Sequence, residues 1–423
     1  NISMSESFCI IPWLQAATKP NGDIRVCCLM TSDSTGGAIK KSNGDVYNFS
    51  KDTIDEAKNG EFAKEIRLSM LNGKKHKACQ VCWNKEDVGI PSKRQTSNKW
   101  YDWFDVKKAK AVTESDGATN IEPVYWDLRF GNLCNLKCVM CHPASSSEWY
   151  EDYFLVTGEK SYWDNGKKVT LDENKKGRLV ATNGTYDWHK SESFWKHLES
   201  KIPYLQQVYL VGGEPLMIEQ HYKFLQKIID AGKAHEVTLE YDTNLTNVQP
   251  KVIELWKHFK LLWIRGSIDD YNEQNNYIRF PSKWKQIEKN IQTIKQADIK
   301  TKWGFSTTWQ LYNVYTIHNL WKYFDDNCDT RILNTPRHLE IKILPKHVKQ
   351  KAIDILKQYQ QESSKPDKVV PYINYLEKHL DYVDEENLQH FAKFTKALDK
   401  SRGVSFAKTF PELYNDLKEY FNE

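Results

Sequence analysis

Long hydrophobic runs are missing from these 423 residues. No apolar stretch approaches the ~20 residues that a helix needs to cross a bilayer, so no membrane partner is expected. The opening Asn1-Ile-Ser-Met4 lacks the apolar core of a secretory signal. A dominant charge is missing too: 60 Lys and Arg against 56 Asp and Glu leave a net +4. That balance gives no argument for nucleic acid, whose binders concentrate a basic stripe on one face. No internal repeat or low-complexity tract is evident, which argues against repeat arrays.

What is present suits a globular enzyme. The length allows two or three domains with a large core. Aromatic residues make up 13%, most of them expected in the core and some available to line a cleft. Nine cysteines without a secretion signal imply a reducing cytoplasm, and metal ligation rather than disulfides.

Three of those cysteines carry the strongest signal. Cys134, Cys138 and Cys141 form a C-x-x-x-C-x-x-C run within Asp127-Leu-Arg-Phe-Gly-Asn-Leu-Cys-Asn-Leu-Lys-Cys-Val-Met-Cys141. Thiolates spaced this tightly in one loop suit the corners of an iron–sulfur cube. Three ligands for four irons leave one iron open to a substrate or cofactor. Zinc prefers four ligands in two separated pairs, which this run does not offer. The β-favouring run Val124–Phe130 precedes the loop. A second strand, Val208–Val211, ends in Gly212-Gly213-Glu214-Pro215.

The cysteine spacing together with this GGEP turn resembles the radical S-adenosylmethionine (SAM) superfamily. The resemblance implies a 4Fe–4S cluster on Cys134, Cys138 and Cys141. It implies that Gly212, Gly213, Glu214 and Pro215 hold the amino group of SAM. Glycine lets backbone approach a ligand closely, and Glu214 supplies charge for an ammonium. Further strands are expected at Val237–Tyr241, Leu261–Ile264, Thr301–Trp309 and Leu339–Leu344. Helices are expected at Ile218–Ala231, Val248–Phe259, Trp284–Ala297 and Val314–Phe324. Such alternation predicts a parallel sheet. Six units match the family's partial (β/α)6, TIM-like barrel, with chemistry at the C-terminal strand ends.

Two polar strand ends add candidates. By resemblance, Thr243 and Asn244 after the third strand, and Ser267 and Asp269 after the fourth, contact the ribose or carboxylate of SAM. The bland alternative is strand-end capping, since such residues dominate turns. Many family members have an aromatic residue before the third cysteine; here it is Met140, whose backbone can still meet the adenine. Arg265 suits either the SAM carboxylate, a substrate acid or an internal salt bridge.

The second cysteine group lies near the N-terminus. Asn21-Gly22 predicts a hairpin, which would bring Cys27 on the strand after the turn near Cys9 on the strand before it. Cys79 and Cys82 form a C-x-x-C pair. The pattern resembles the auxiliary-cluster domains of radical SAM enzymes, of SPASM or twitch type, here placed ahead of the barrel. The resemblance implies a second, auxiliary 4Fe–4S cluster on Cys9, Cys27, Cys79 and Cys82, with Cys27 favoured over Cys28 by the glycine-to-cysteine spacing. A structural zinc on the same thiolates stays open. Cys328 is read as an inert thiol.

The expected organisation is an α/β chain with three parts. Residues 1–115 form the twitch-like auxiliary domain, 120–345 the barrel, and 346–423 a helical C-terminal extension. Lys107–Asn120 reads as a linker or surface loop. Glu151–Ser191 reads as a polar insertion or lid. The family implies an oxidoreductase-type enzyme that cleaves SAM to a 5′-deoxyadenosyl radical. That radical abstracts hydrogen from a peptide or protein side chain, with an electron donor such as flavodoxin or ferredoxin. A two-electron oxidation of a small molecule such as an amino sugar is the alternative, and a non-catalytic redox or iron sensor is a third reading. No catalytic acid or base is readable, because the substrate pose is unknown.

Overall fold

The computed structural model describes residues 4–30, 36–87, 89 and 91–422. The fold is α/β, with a mostly parallel sheet and a helical C-terminal part. Two compact units make up the chain. One comprises Asn1–Leu133, Lys160–Tyr241 and Pro250–Leu262, the other Cys134–Glu159, Asp242–Gln249 and Trp263–Glu423.

The first unit holds β1 (Gln15–Thr18), β2 (Ile24–Arg25), β3 (Tyr125–Arg129), β4 (Ser161–Asp164), β5 (Lys167–Glu173), β6 (Leu179–Ala181), β7 (Gln207–Val211) and most of β8 (Thr238–Thr243). The hairpin expected at Asn21-Gly22 joins β1 to β2, with Ala17 opposite Arg25. Gly22 has φ +86°, and a Cβ there would sit 2.5 Å from Trp188, so only glycine fits. β1 also runs parallel to β3, Gln15 beside Tyr125 and Ala17 beside Asp127. β3 is parallel to β7, and β7 to β8.

Alternation along β3 divides its side chains between two faces. Trp126, Leu128 and Phe130 are fully buried, Trp126 against Phe49 and Phe130 against Trp188. Removing a ring such as Trp126 would cost about 3–5 kcal/mol. Tyr125, Asp127 and Arg129 take the other face, and the register aligns Asp127 with Tyr209 and Glu240.

The helix Glu219–Asp230 buries Tyr222, Leu225 and Ile228, spaced by three, and Pro250 opens Pro250–Trp256. Lys107–Asn120, expected as a loop, contains part of the helix Val106–Ala111. The segment Glu151–Ser191, expected as an insertion or lid, carries regular structure after residue 158. That structure is an antiparallel meander, β4–β5–β6, whose first turn is Asn165-Gly166 with positive φ at both residues. That dipeptide demands a tight turn of the primed type, a signal the sequence reading passed over.

The second unit holds most of β9 (Leu261–Ser267), then β10 (Thr301–Trp309) and β11 (Cys328–Ile332). The helix Trp284–Gln296 buries Ile287, Ile291 and Ile294 on one stripe. The expected sixth strand, Leu339–Leu344, is instead two 3₁₀ turns, Arg337–Leu339 and Ile341–Ile343. Their apolar side chains are fully buried, and the turns pack on the helix Glu385–Arg402. Period-two alternation there came from separate burial of each apolar residue, not from a pleat. The sixth strand is β11, parallel to β10 with Cys328 beside Phe305. Cys328-Asp-Thr-Arg-Ile is half-exposed and mostly polar, so no hydrophobic alternation announced it.

The C-terminal part is helical as expected, with long helices Lys346–Glu362 and Glu385–Arg402. Buried Lys349 donates to the carbonyls of Lys342, His379 and Tyr382. Those bonds satisfy backbone oxygens at helix and turn ends. Among the described residues, no helix is long and apolar enough to cross a membrane.

Candidate active site

The three-cysteine loop belongs to the second unit. Cys134, Leu136 and Cys138 are buried together, with Met140 and Cys141 packed against them. The loop is pinned by backbone: Lys137 and Val139 donate to the carbonyls of Phe280 and Ile278. Trp149 Nε1 donates to the Cys138 carbonyl at 2.7 Å, and Ser146 Oγ to that of Leu136 at 2.5 Å. The Leu136 N–H lies 3.4 Å from the Cys134 sulfur. Cys141 next to Cys138 lowers the Cys138 pKa against the effect of burial. A thiolate is the form that binds metal.

Asn244, a candidate at the third strand end, reaches the same loop. Its Nδ2 donates to Asn135 Oδ1 at 3.0 Å and lies 4.0 Å from the Cys134 sulfur. Its Oδ1 accepts from Thr246. Thr243 Oγ1 accepts from the Leu245 N–H at 3.1 Å, where Leu245 takes φ +60°. Ser267 ends β9 and is half-buried. Arg265 forms the internal salt bridge, 2.6 Å from Asp242.

Asp269 is used differently from the expectation. It is fully buried, 2.7 Å from Arg279 Nε, and accepts from the Thr308 N–H at 2.8 Å. Arg279 Nη1 in turn lies 3.7 Å from the Cys138 sulfur. In this arrangement the carboxylate is paired with Arg279. Arg279 was missed in the sequence because it sits 138 positions after Cys141 in no recognisable motif (279 − 141). Burial pushes the neighbouring Asp270 carboxyl up to about 7.

The GGEP turn belongs to the first unit, where it is bonded to Leu133, the residue before Cys134. Glu214 N–H donates to the Leu133 carbonyl at 2.7 Å. Gly212 and Gly213 have φ +82° and +53°, and a Cβ on Gly213 would lie 2.2 Å from Leu133 oxygen. The turn is therefore a cradle that side chains would fill. Glu214 is buried, and its Oε1 caps Leu216 N at 3.2 Å as Pro215 opens the turn Pro215–Met217.

The N-terminal cysteines gather in the same unit. Cys9, Cys27, Cys79 and Cys82 line one cavity, together with Lys93 and Arg94. Cys9 is not on a strand, however; it precedes the short helix Ile11–Leu14, and Cys27 lies two residues beyond β2. Cys28 is not among the lining residues; its sulfur accepts from Lys93 Nζ at 2.9 Å. Burial pushes the Cys9 and Cys79 thiols up to about 12, so a cation is needed to hold them ionised. The Leu29 N–H lies 3.5 Å from the Cys27 sulfur, the same two-residue pattern as at Cys134. Arg94 is held by Glu86 and the Phe8 carbonyl. Among the described residues, no three His, Cys, Asp or Glu groups converge tightly enough for a single metal ion.

Comparison with known proteins gives the class. Residues 128–314, which include the three-cysteine loop and the GGEP turn, match the Radical SAM superfamily. That segment is thus similar to a radical SAM domain. Among solved structures, native anSMEcpe with bound AdoMet aligns at 13% identity over 65% of each chain, TM-score 0.34. Streptococcus suis SuiB bound to S-adenosylmethionine aligns at 12% identity over 79% of this chain and 68% of that one, TM-score 0.33. TYW1 with a lysine-pyruvate adduct aligns at 13% identity over 57% and 72%, TM-score 0.26. The present chain spans 65% of the anSMEcpe length. No curated protein matches the sequence.

Proposed function

We propose that this chain is a radical SAM enzyme that modifies a peptide or protein side chain oxidatively. The observation that carries the reading is the match of residues 128–314 to the Radical SAM superfamily, a segment that contains both the Cys134, Cys138, Cys141 run and the glycine turn Gly212-Gly213. The three thiolates suit a 4Fe–4S cluster with one open iron. When bound, that cluster supplies the electron that cleaves SAM to methionine and a 5′-deoxyadenosyl radical, the hydrogen abstractor.

The chain's own residues bind and orient. Gly212, Gly213, Glu214 and Pro215 receive the SAM amino group, and Thr243, Asn244 and Ser267 its polar remainder. The Met140 backbone meets the adenine. Asp269 holds Arg279 toward Cys138. Cys9, Cys27, Cys79 and Cys82 hold an auxiliary 4Fe–4S cluster as the acceptor for the substrate electron. Residues 1–115, 120–345 and 346–423 serve as auxiliary module, barrel and extension. The setting is the cytoplasm, with a flavodoxin- or ferredoxin-type reductant.

Anaerobic incubation with SAM and dithionite tests this. Production of 5′-deoxyadenosine, lost when Cys134, Cys138 and Cys141 are all replaced by Ala, supports the enzyme. No 5′-deoxyadenosine from iron-replete protein would leave the sensor reading in its place.

A further inference from the structure

The first unit contains a charged cluster beside the four-cysteine cavity, sharing Lys93 with it. Register puts Arg25, Ala17 and Asp127 in one row across β2, β1 and β3. Gln15 and Arg129 lie one step away along their strands, on that same face. Asp127 is fully buried; Arg129 Nε is 3.3 Å and Lys93 Nζ 3.8 Å from its oxygens. Lys93 also bonds the Cys28 sulfur, and Arg25 Nη1 the Cys28 carbonyl at 3.4 Å. Three cations thus face one carboxylate.

Unmet hydrogen-bonding capacity points the same way. Among the described residues, the buried Arg25 Nε and both amide atoms of Gln15, which is 6% exposed, have no hydrogen-bond partner. Neither oxygen of Asp127 accepts a hydrogen bond; it is held by charge alone. Native interiors rarely leave such groups unmet. Arg25 is partly buried, and the Lys93 and Arg129 side chains keep 20% and 21% of their surface exposed, which is the side from which a ligand would approach.

We infer that this cluster is a recognition site for a carboxylate of the substrate. An Arg fork matches a carboxylate in two parallel bonds, and Gln15 supplies a further donor. Lys93 also lines the four-cysteine cavity, so the anchored substrate would lie beside it. The assignment rests on the peptide reading above and narrows it to peptides bearing an acidic group.

The test uses three capped tripeptide probes titrated calorimetrically into the intact protein at low salt. One carries a central Glu with an amidated end, one a central Gln with an amidated end, and one a central Gln with an unblocked C-terminal carboxylate. Binding of either carboxylate probe about tenfold or more above the neutral one supports the site, and the probe that binds identifies the source. Arg25→Gln should remove that preference, and Arg25→Lys should keep part of it. Equal binding of all three probes, or a preference untouched in Arg25→Gln and in Arg129→Gln, overturns the inference. Should Arg129→Gln fail to fold, Arg25→Gln alone decides. Binding needs no reductant, so a failure here is distinct from a failure to make 5′-deoxyadenosine.

Discussion

The Arg279 guanidinium reaches to 3.7 Å from the Cys138 sulfur. Its Nε is 2.7 Å from Asp269, which is 0% exposed. This ion pair sits behind a cysteine proposed to hold the cluster, so its worth would divide between stability and the electronic setting of the sulfur. Hydrogen bonds to ligand sulfur are among the levers that set a cluster's potential.

Arg279→Met would leave Asp269 buried without its cation, at a cost of about 3–5 kcal/mol. Arg279→Lys keeps a charge and should lose less. Urea melts of the two variants give the ordering. In folded, iron-loaded Arg279→Lys the reduction midpoint, read by spin resonance, should move lower. An unmoved midpoint would assign Arg279 to folding alone.

Gly213→Ala puts a methyl 2.2 Å from the Leu133 carbonyl oxygen at φ +53°. A left-handed backbone costs a residue with a Cβ about 1–2 kcal/mol before the clash is counted. The cradle should open, and SAM binding by equilibrium dialysis should weaken at least about tenfold while far-ultraviolet dichroism stays near wild type. Gly44→Ala meets nothing within 4 Å and has φ +89°, so it serves as a control for backbone strain without a clash.

His221 is fully buried on the helix Glu219–Asp230, with Nε2 2.6 Å from the Tyr241 hydroxyl. Burial lowers its pKa from 6.5 to about 3. Since the folded value lies below the unfolded one, its contribution is fully present above pH 6.5. It is lost as pH falls from there toward about 3. The slope is about 1.4 kcal/mol per pH unit. His221→Gln should flatten the acid limb of a stability-against-pH curve; an identical limb would assign acid loss to other groups.

Replacing Cys79 and Cys82 by Ser should remove about four of about eight irons per chain and spare SAM cleavage. Cys28→Ser should leave the iron count unchanged, because that sulfur bonds Lys93 rather than lining the cavity. Anaerobic iron, sulfide and zinc analysis checks both. One zinc in place of four irons would reduce the N-terminal module to a scaffold.

The three-cysteine loop was legible because its cysteines are neighbours in sequence, where spacing alone dictates reach. The hairpin at Asn21-Gly22 and the helix Trp284–Gln296 were legible for a related reason: turn chemistry and apolar periodicity are local. Local periodicity also misled, since Leu339–Leu344 alternates like a strand yet forms 3₁₀ turns, while polar β11 takes the strand's role. The Asp164-Asn165-Gly166 turn was readable and was overlooked.

What the sequence by itself determined is the chemistry of the ligands and the alternating α/β pattern. Only the tertiary structure decided which distant side chains meet. Cys9 and Cys82 are 73 residues apart (82 − 9) yet line one cavity. Asp269 turns to Arg279 because a buried carboxylate must find a cation. Arg25 and Asp127 share a row only because β1 bridges β2 and β3. Strand pairing is long-range and carries no periodic mark in the chain, so register alone settles which charges face one another.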